Sequence, residues 1–230
     1  MEAIILAGGL GTRLRSRLTD LPKAMAPIAG RPFLEYLLDR LVAAGANRVI
    51  LSVGHLRHVI LERIPENYRG VPITFVTEES PLGTGGAIRQ ALAQVDEPAA
   101  LVMNGDTYAD LDLSAILKRH LQSETSMTMA VTQIQDTSRY GGVVIEKDQV
   151  VGFLEKGKEG PGWINAGIYA LDRDFPWPES LPTRFSFEEN VLVPLVAELR
   201  PTAFRHTGFF LDIGVPEDLD RAQNCLPSGL

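Results

Sequence analysis

The chain has 230 residues, 45% apolar, 22% charged and 7% aromatic, a composition that suits one packed core and excludes collagen-like, disordered and disulfide-stapled classes. The formal charge of -7, from 29 acidic and 22 basic side chains, opposes a nucleic-acid-coating surface, so positive charge for an anionic substrate must be concentrated locally. The single cysteine, Cys225, permits neither an intramolecular disulfide nor a thiolate metal cage, which leaves oxygen ligands for any metal.

Met1 leads straight into a strand-like run with no basic leader, and the longest apolar runs fall far short of the roughly 20 residues of a membrane span. A soluble, cytoplasmic protein without membrane or nucleic-acid partners is expected. In chain order, Ala3 to Ala7, Arg48 to Val53, Ile73 to Thr77 and Ala99 to Met103 read as strands buried on both faces. Between them, Phe33, Leu34, Leu37, Leu38, Leu41 and Val42 form one helical stripe, and Ala87, Ile88, Ala91, Leu92 and Val95 another. This alternation predicts an α/β fold with a mostly parallel sheet, right-handed crossovers and a ligand site beyond the carboxyl ends of the strands.

After Thr107 a helix is predicted near Leu113 to Leu121, then strand-like runs TMAVT, GGVVIEK, VVGFLEK and WINAGIYAL, with a turn at Asp148-Gln149. Phe187 to Leu199 reads as a helix interrupted or restarted at Pro194, Phe209 to Asp212 as a last strand, and Pro216 to Asn224 as a helix. No repeat or linker divides the chain, so one domain is expected, with an α/β half over 1–110 and an antiparallel or mixed half over 111–230.

Gly8, Gly9 and Gly11 follow the first strand directly, where missing side chains let backbone N–H groups approach a phosphate or base. Two standard loops fail: the dinucleotide fingerprint has Leu14 at its third glycine, and the GK[ST] ending of a P-loop is absent. Gly152 to Lys158 has P-loop spacing but continues to Glu159 from a strand pattern. Arg13 and Lys23 beside the glycine loop could neutralise a polyphosphate. Glu79 to Ile88 precedes a helix start near Gly85 to Ala87 and is either a base or phosphate site or a plain capped helix. Asp106 and Asp212 each end a strand; they are turn residues or two carboxylates sharing a divalent cation. Tyr140-Gly141-Gly142, Glu155-Lys156 and Asn165-Ala166-Gly167 are hairpin decoration or partners for sugar hydroxyls and a phosphate. His55 and His58 are read as an exposed helical face instead of a metal pair, and Trp163 and Trp177 as packing residues.

LAGGLGTRLR, PKAM, ESPLGTGGAI, NGD, FLEK, NAGIY and FFLDIGVPEDL, in that order, resemble the sugar-1-phosphate nucleotidyltransferases over essentially the whole chain. The resemblance implies a Rossmann-like α/β/α fold with a mixed, mostly parallel central sheet, a nucleotide-binding half and a strand-rich sugar-binding half. It assigns Leu6, Ala7, Gly8, Gly9, Gly11 and Thr12 to the nucleotide, with Glu79, Gly85 and Gly86 at the base. Arg13, Lys23 and Asp106 become catalytic, Asp106 and Asp212 hold Mg²⁺, and Gly142, Glu155, Lys156 and Asn165 meet the sugar phosphate. Asn104 before Gly105 departs from many relatives. The implied substrates are an NTP, GTP first, and a sugar 1-phosphate, a heptose ahead of mannose; uridylyl or thymidylyl transfer to a hexose or muramic acid phosphate is the alternative. A homo-oligomer is possible within this reading. A non-catalytic nucleotide-sugar-binding subunit and a nicotinamide oxidoreductase are weaker, given intact Arg13, Lys23, Asp106 and Asp212 and the Leu14 departure.

Overall fold

Alternation of buried side chains to two faces is what makes β1 (Glu2–Leu6) a central strand: Ala3 and Ile5 join one apolar cluster, and Ile4 joins another. The computed structural model describes residues 1–226 apart from Leu10, Thr12, Arg13, Arg15, Ser16 and Thr19. A small hairpin of β2 (Pro27–Ile28) and β3 (Arg31–Pro32) leads into α1 (Phe33–Ala43). The first half then runs through β4 (Arg48–Val53), α2 (Arg57–Arg63), β5 (Asn67–Tyr68), β6 (Val71–Thr77), α3 (Gly83–Leu92), β7 (Ala99–Asn104) and β8 (Thr107–Ala109). The second half continues with α4 (Leu113–Leu121), β9 (Met127–Ile134), β10 (Val143–Glu146), β11 (Gln149–Phe153) and β12 (Gly162–Asp172). After a π-helical turn (Glu188–Leu192) come α5 (Val193–Leu199), β13 (Thr202–His206), β14 (Phe210–Asp212) and α6 (Pro216–Cys225).

The central sheet has ten strands in the order β10-β11-β13-β9-β12-β7-β1-β4-β6-β5. β7, β1, β4 and β6 are parallel neighbours, so their carboxyl ends share one edge. β12 runs antiparallel between β7 and β9, and β13 is parallel to β9. Seven of the ten strands point the same way, which makes the sheet mixed and mostly parallel.

Helices cover both faces. Leu34, Leu37, Leu38 and Leu41 of α1, Ile116 and Leu117 of α4, and Leu219 of α6 pack on one side; Ile88, Ala91 and Leu92 of α3, with Val191 and Leu192 of the π turn, pack on the other. At roughly 1.5–3 kcal/mol for each large apolar side chain removed from water, the α1 stripe alone is a major stabilising element. Leu14 is also buried, so the position where a dinucleotide loop needs glycine is filled by a core side chain. Among the described residues no helix is long and apolar enough to cross a membrane. Trp177 packs edge-on to Phe175 and Phe185 beside Phe187, in the cluster under α3.

β14, the last strand read from the sequence, lies outside the central sheet. It pairs with β8 in a separate two-stranded unit, with Asp212 opposite Thr107, and the Ile213 N–H donates to the Asp106 carbonyl at 3.0 Å. This pairing brings the end of the chain to the carboxyl end of β7. The predicted helix from Phe187 is a π turn followed by α5, with Pro194 in the first turn of α5, where a missing N–H costs no helical bond.

Candidate active site

Lys23 owes its position to its neighbours. Ala24 and Met25 are buried, and a 3-10 turn closed by Met25 N–H to the Pro22 carbonyl at 2.8 Å leaves Lys23 directed across the edge of β1. Its ammonium lies 2.5 Å from Asp106 Oδ2 and 3.6 Å from Asp212 Oδ1. Thr107 Oγ1 donates to the other Asp106 oxygen at 3.2 Å, and the Gly214 N–H to Asp212 Oδ1 at 2.8 Å. The triad combines one positive and two negative charges.

The glycine loop lies against this triad. Leu6, Ala7, Gly9, Gly11, Lys23, Gly105, Asp106 and Gly214 line one concave wall. Gly105 donates its N–H to Leu6 O at 3.0 Å, so the ends of β1 and β7 stand in contact. Thr12 and Arg13 lie outside the described residues.

The cleft continues along Gly8, Pro81, Gly83, Thr84 and Arg184 to a recess formed by Gly54, His55, Arg57, His58 and Glu78. Both adjacent glutamates line this recess: Glu79, with a side chain 87% exposed, pairs with Arg57 at 3.8 Å, and Glu78 stands directly against Gly8. Burial pushes the Glu78 carboxyl above the usual carboxylate range, opposed by the Leu82 N–H, which donates to Oε2 at 2.9 Å. Glu78 follows β6 immediately, level with the ends of β1 and β4, and that strand-end position is the sequence signal that distinguishes it from Glu79. His55 and His58 are exposed, yet both line this recess; among the described residues no set of three His, Cys, Asp or Glu side chains is arranged to hold a metal.

Gly85 and Gly86 face away from open space. A Cβ on Gly86 would lie 2.6 Å from the Thr183 carbonyl oxygen, and one on Gly85 would enter the Phe185 ring. Their absent side chains let α3 dock on the segment around Phe185, fixed by Gly85 N–H to Phe185 O at 3.0 Å and Phe187 N–H to Thr84 Oγ1 at 2.9 Å. Gly83 and Thr84 are the residues of this helix start that face the cleft.

On the other side of Asp106 a polar cleft is lined by Asn104, Arg139, Tyr140, Lys156, Asn165, Tyr169, Glu188 and Asp212. A bulge in β12 between Asn165 and Tyr169 builds it: Gly167 adopts φ +67°, a conformation that favours glycine, and its N–H donates to Asn165 Oδ1 at 2.9 Å. Asn165 Nδ2 in turn donates to the buried Tyr169 hydroxyl at 2.7 Å, so the amide is oriented before any ligand arrives. Gly142 serves closeness of packing, because a Cβ there would touch Leu154 Cδ1 at 3.0 Å; Leu154 N–H donates to Gly142 O at 2.8 Å. Glu155 is exposed on the following loop, and its neighbour Lys156 is the residue that lines the cleft. Sequence reasoning did not single out Glu78, Arg139, Glu188 or Arg184. Glu78 has its strand-end position and Arg139 its place beside Tyr140-Gly141-Gly142 as signals, whereas Glu188 and Arg184 carry no motif and reach the site through tertiary packing.

A glycine loop at the edge of a parallel sheet, a lysine between two carboxylates and two polar recesses flanking them are the arrangement of a nucleotidyl-transferring enzyme. The family model described as Nucleotidyl transferase matches residues 2–228, and the chain belongs to that family. It is 40% identical over 226 residues to the D-glycero-α-D-manno-heptose 1-phosphate guanylyltransferase of Aneurinibacillus thermoaerophilus, covering 98% of each chain. It is 44% identical over 219 residues to the Campylobacter jejuni enzyme of the same name, covering 95% of this chain and 96% of that one. Among solved structures, HddC from Yersinia pseudotuberculosis complexed with GMP-PN superposes with a TM-score of 0.82 at 36% identity, over 96% of this chain and 97% of that one. The inositol-1-phosphate CTP transferase of T. maritima, at 20% identity and a TM-score of 0.78, shares the fold.

Proposed function

We propose that the chain transfers a guanylyl group from GTP to D-glycero-α-D-manno-heptose 1-phosphate, releasing pyrophosphate. The observation that carries the reaction is the placement of Lys23 between Asp106 and Asp212, facing the glycine loop on one side and the polar cleft on the other. The base follows from Glu78. An ionised carboxylate only accepts hydrogen bonds, and guanine alone among the common bases presents two adjacent donors, N1–H and the N2 amine, on one edge. The sugar follows from the similarity to the two heptose 1-phosphate guanylyltransferases. Mannose 1-phosphate is the runner-up, from a 35% identical mannose-1-phosphate guanylyltransferase of Mycobacterium tuberculosis.

In this reading a phosphate oxygen of the sugar phosphate attacks the α-phosphorus of GTP in line, and the bond to pyrophosphate breaks. The nucleophile is already an anion, so no general base is required. The work of the protein is to bring two anions together and align them. Backbone N–H groups of Gly8, Gly9 and Gly11 cradle the phosphates, with Arg13 as a further cation, and Lys23 stabilises charge that develops on the transferring group. Lys156 holds the sugar phosphate, and Asn165 and Glu188 offer partners to ring hydroxyls. Asp106 and Asp212 suit Mg²⁺: both are hard oxygen donors reaching the same ammonium, and their two negative charges exceed the single positive charge of Lys23. When bound, Mg²⁺ supplies charge neutralisation of the phosphate oxygens. A cytoplasmic location goes with the use of a nucleoside triphosphate.

The test is a pyrophosphate-release screen of GTP, ATP, UTP and dTTP against heptose, mannose, glucose and muramic acid phosphates with Mg²⁺. GTP with the heptose phosphate is expected to be turned over fastest. A rate about tenfold higher for another pair overturns the substrate assignment, at 1.4 kcal/mol per decade; no release from any pair overturns the reaction.

A further inference from the structure

We propose that Arg139 grips the phosphate of the sugar 1-phosphate alongside Lys156, and that Asp218 on α6 is a positioning residue for Arg139; this rests on the reaction proposed above. Arg139 lines the same cleft as Lys23, Asp106, Asp212 and Lys156. Its guanidinium is held from two directions. One nitrogen lies 2.8 Å from Asp218 Oδ2, and the guanidinium carbon lies 5.3 Å from the centre of the Tyr140 ring. Tyr140 itself packs edge-on to Phe210 at 5.9 Å, two residues before Asp212. Arg139 is therefore tied to the strand that carries one of the central carboxylates.

Burial distinguishes this pair from an ordinary surface salt bridge, which contributes little. The Asp218 side chain is only 9% exposed, and a buried carboxylate is costly unless a counter-charge is held against it. Arg221 approaches the other oxygen only to 3.7 Å, so Arg139 is the near partner. A guanidinium has five N–H donors in a planar fork, more than one carboxylate engages, and that fork matches two phosphate oxygens.

Charge balance gives Arg139 a necessary part. The described side chains lining the cleft include Lys23, Arg139 and Lys156 against Asp106, Asp212 and Glu188, three positive and three negative. Without Arg139 the side chains alone are two positive against three negative, so the cation proposed at Asp106 and Asp212 would have to offset the shortfall as the dianionic phosphate enters. Lys23 and Lys156 would then face three carboxylates.

The test measures KM for D-glycero-α-D-manno-heptose 1-phosphate at saturating GTP and Mg²⁺, KM for GTP, and kcat, in Arg139→Ala, Arg139→Lys, Asp218→Asn and the Arg139→Ala/Asp218→Asn double variant. Arg139→Ala is expected to raise the sugar-phosphate KM about tenfold to a hundredfold, as for loss of a hydrogen bond between charged groups, with KM for GTP nearly unchanged. Arg139→Lys recovers part of the loss, Asp218→Asn shifts the same KM by less, and the double variant is no worse than Arg139→Ala because the two act as one unit. If Asp218→Asn does not fold, the two Arg139 variants, at a half-exposed position, decide. An unchanged sugar-phosphate KM in Arg139→Ala, or an equal rise in both KM values, overturns the proposal while leaving the reaction standing; no turnover by the unaltered protein overturns both.

Discussion

Replacing Gly105 by alanine tests whether the site depends on the close approach of β1 and β7. The added methyl would lie 2.5 Å from the Leu6 carbonyl oxygen and 3.2 Å from its carbon. Ordinary contact begins nearer 3.4 Å, so the two strand ends must part by about 0.9 Å. The obstacle is backbone, which cannot rotate aside, and Gly105 also donates its N–H to that oxygen. Overpacking of this kind costs about 1–3 kcal/mol, or a fall in melting temperature of about 2–12 °C for a chain of this size. Asp106 is the next residue and moves with it; a displacement near 1 Å at a reacting site costs about a hundredfold in rate. Thermal unfolding by circular dichroism and pyrophosphate release at saturating substrates measure the two effects. Gly152→Ala is the control, because its methyl meets Val144 at an ordinary 3.7 Å. A Gly105→Ala protein with unchanged melting temperature and kcat would refute the idea that this contact sets the position of Asp106.

Glu78→Gln is expected to reduce the preference for GTP over the other three triphosphates about tenfold to a hundredfold, as for loss of one two-point base contact, read from kcat/KM for each. Because burial raises the Glu78 pKa and guanine requires the ionised form, KM for GTP in the unaltered protein should climb as pH falls through a value above the usual ~4.3; the amide variant should lack that dependence. Lys23→Ala should lower kcat about 10²- to 10³-fold by analogy with a lost oxyanion donor, measured at saturating substrates on protein shown to be folded. His120 is buried between Thr128 and Asp172, each at 3.1 Å, and burial lowers its pKa. The fold therefore holds the neutral ring, and stability present above the unfolded pKa of about 6.5 is lost as pH falls through it toward the lower folded value. Melting temperatures between pH 7.5 and 5.5 should drop more in the unaltered protein than in His120→Gln, and parallel curves would refute this.

Local pattern carried a large part of the fold. The runs around Ile4, Ile50 and Val102 announce central strands because burial on both faces demands uninterrupted apolar side chains, and the stripe from Leu34 to Leu41 announces a helix by its spacing alone. The glycines after β1 mark a loop that must present backbone, and the buried Ala24 and Met25 beside Lys23 hold the turn that aims it. Which distant segment each strand meets is set by long-range pairing, which no local period records. Hence the departure of β14 from the main sheet to pair with β8, which brings Asp212 to Asp106, belongs to the tertiary structure. So does the difference between Glu78, which stands directly against Gly8, and Glu79, which lines the same recess from its exposed side next to Arg57. Gly85 and Gly86 have the composition of a ligand-binding helix start, but the room their missing side chains leave is taken by the segment at Thr183 and Phe185. Arg139, beside Tyr140-Gly141-Gly142, and Asp218, inside the FFLDIGVPEDL run, acquire a shared role only because packing sets Asp218 of α6 against Arg139, where a buried carboxylate needs a cation. Residue order determined the layers and the chemistry available at the ends of the strands; packing decided which of those groups face one another.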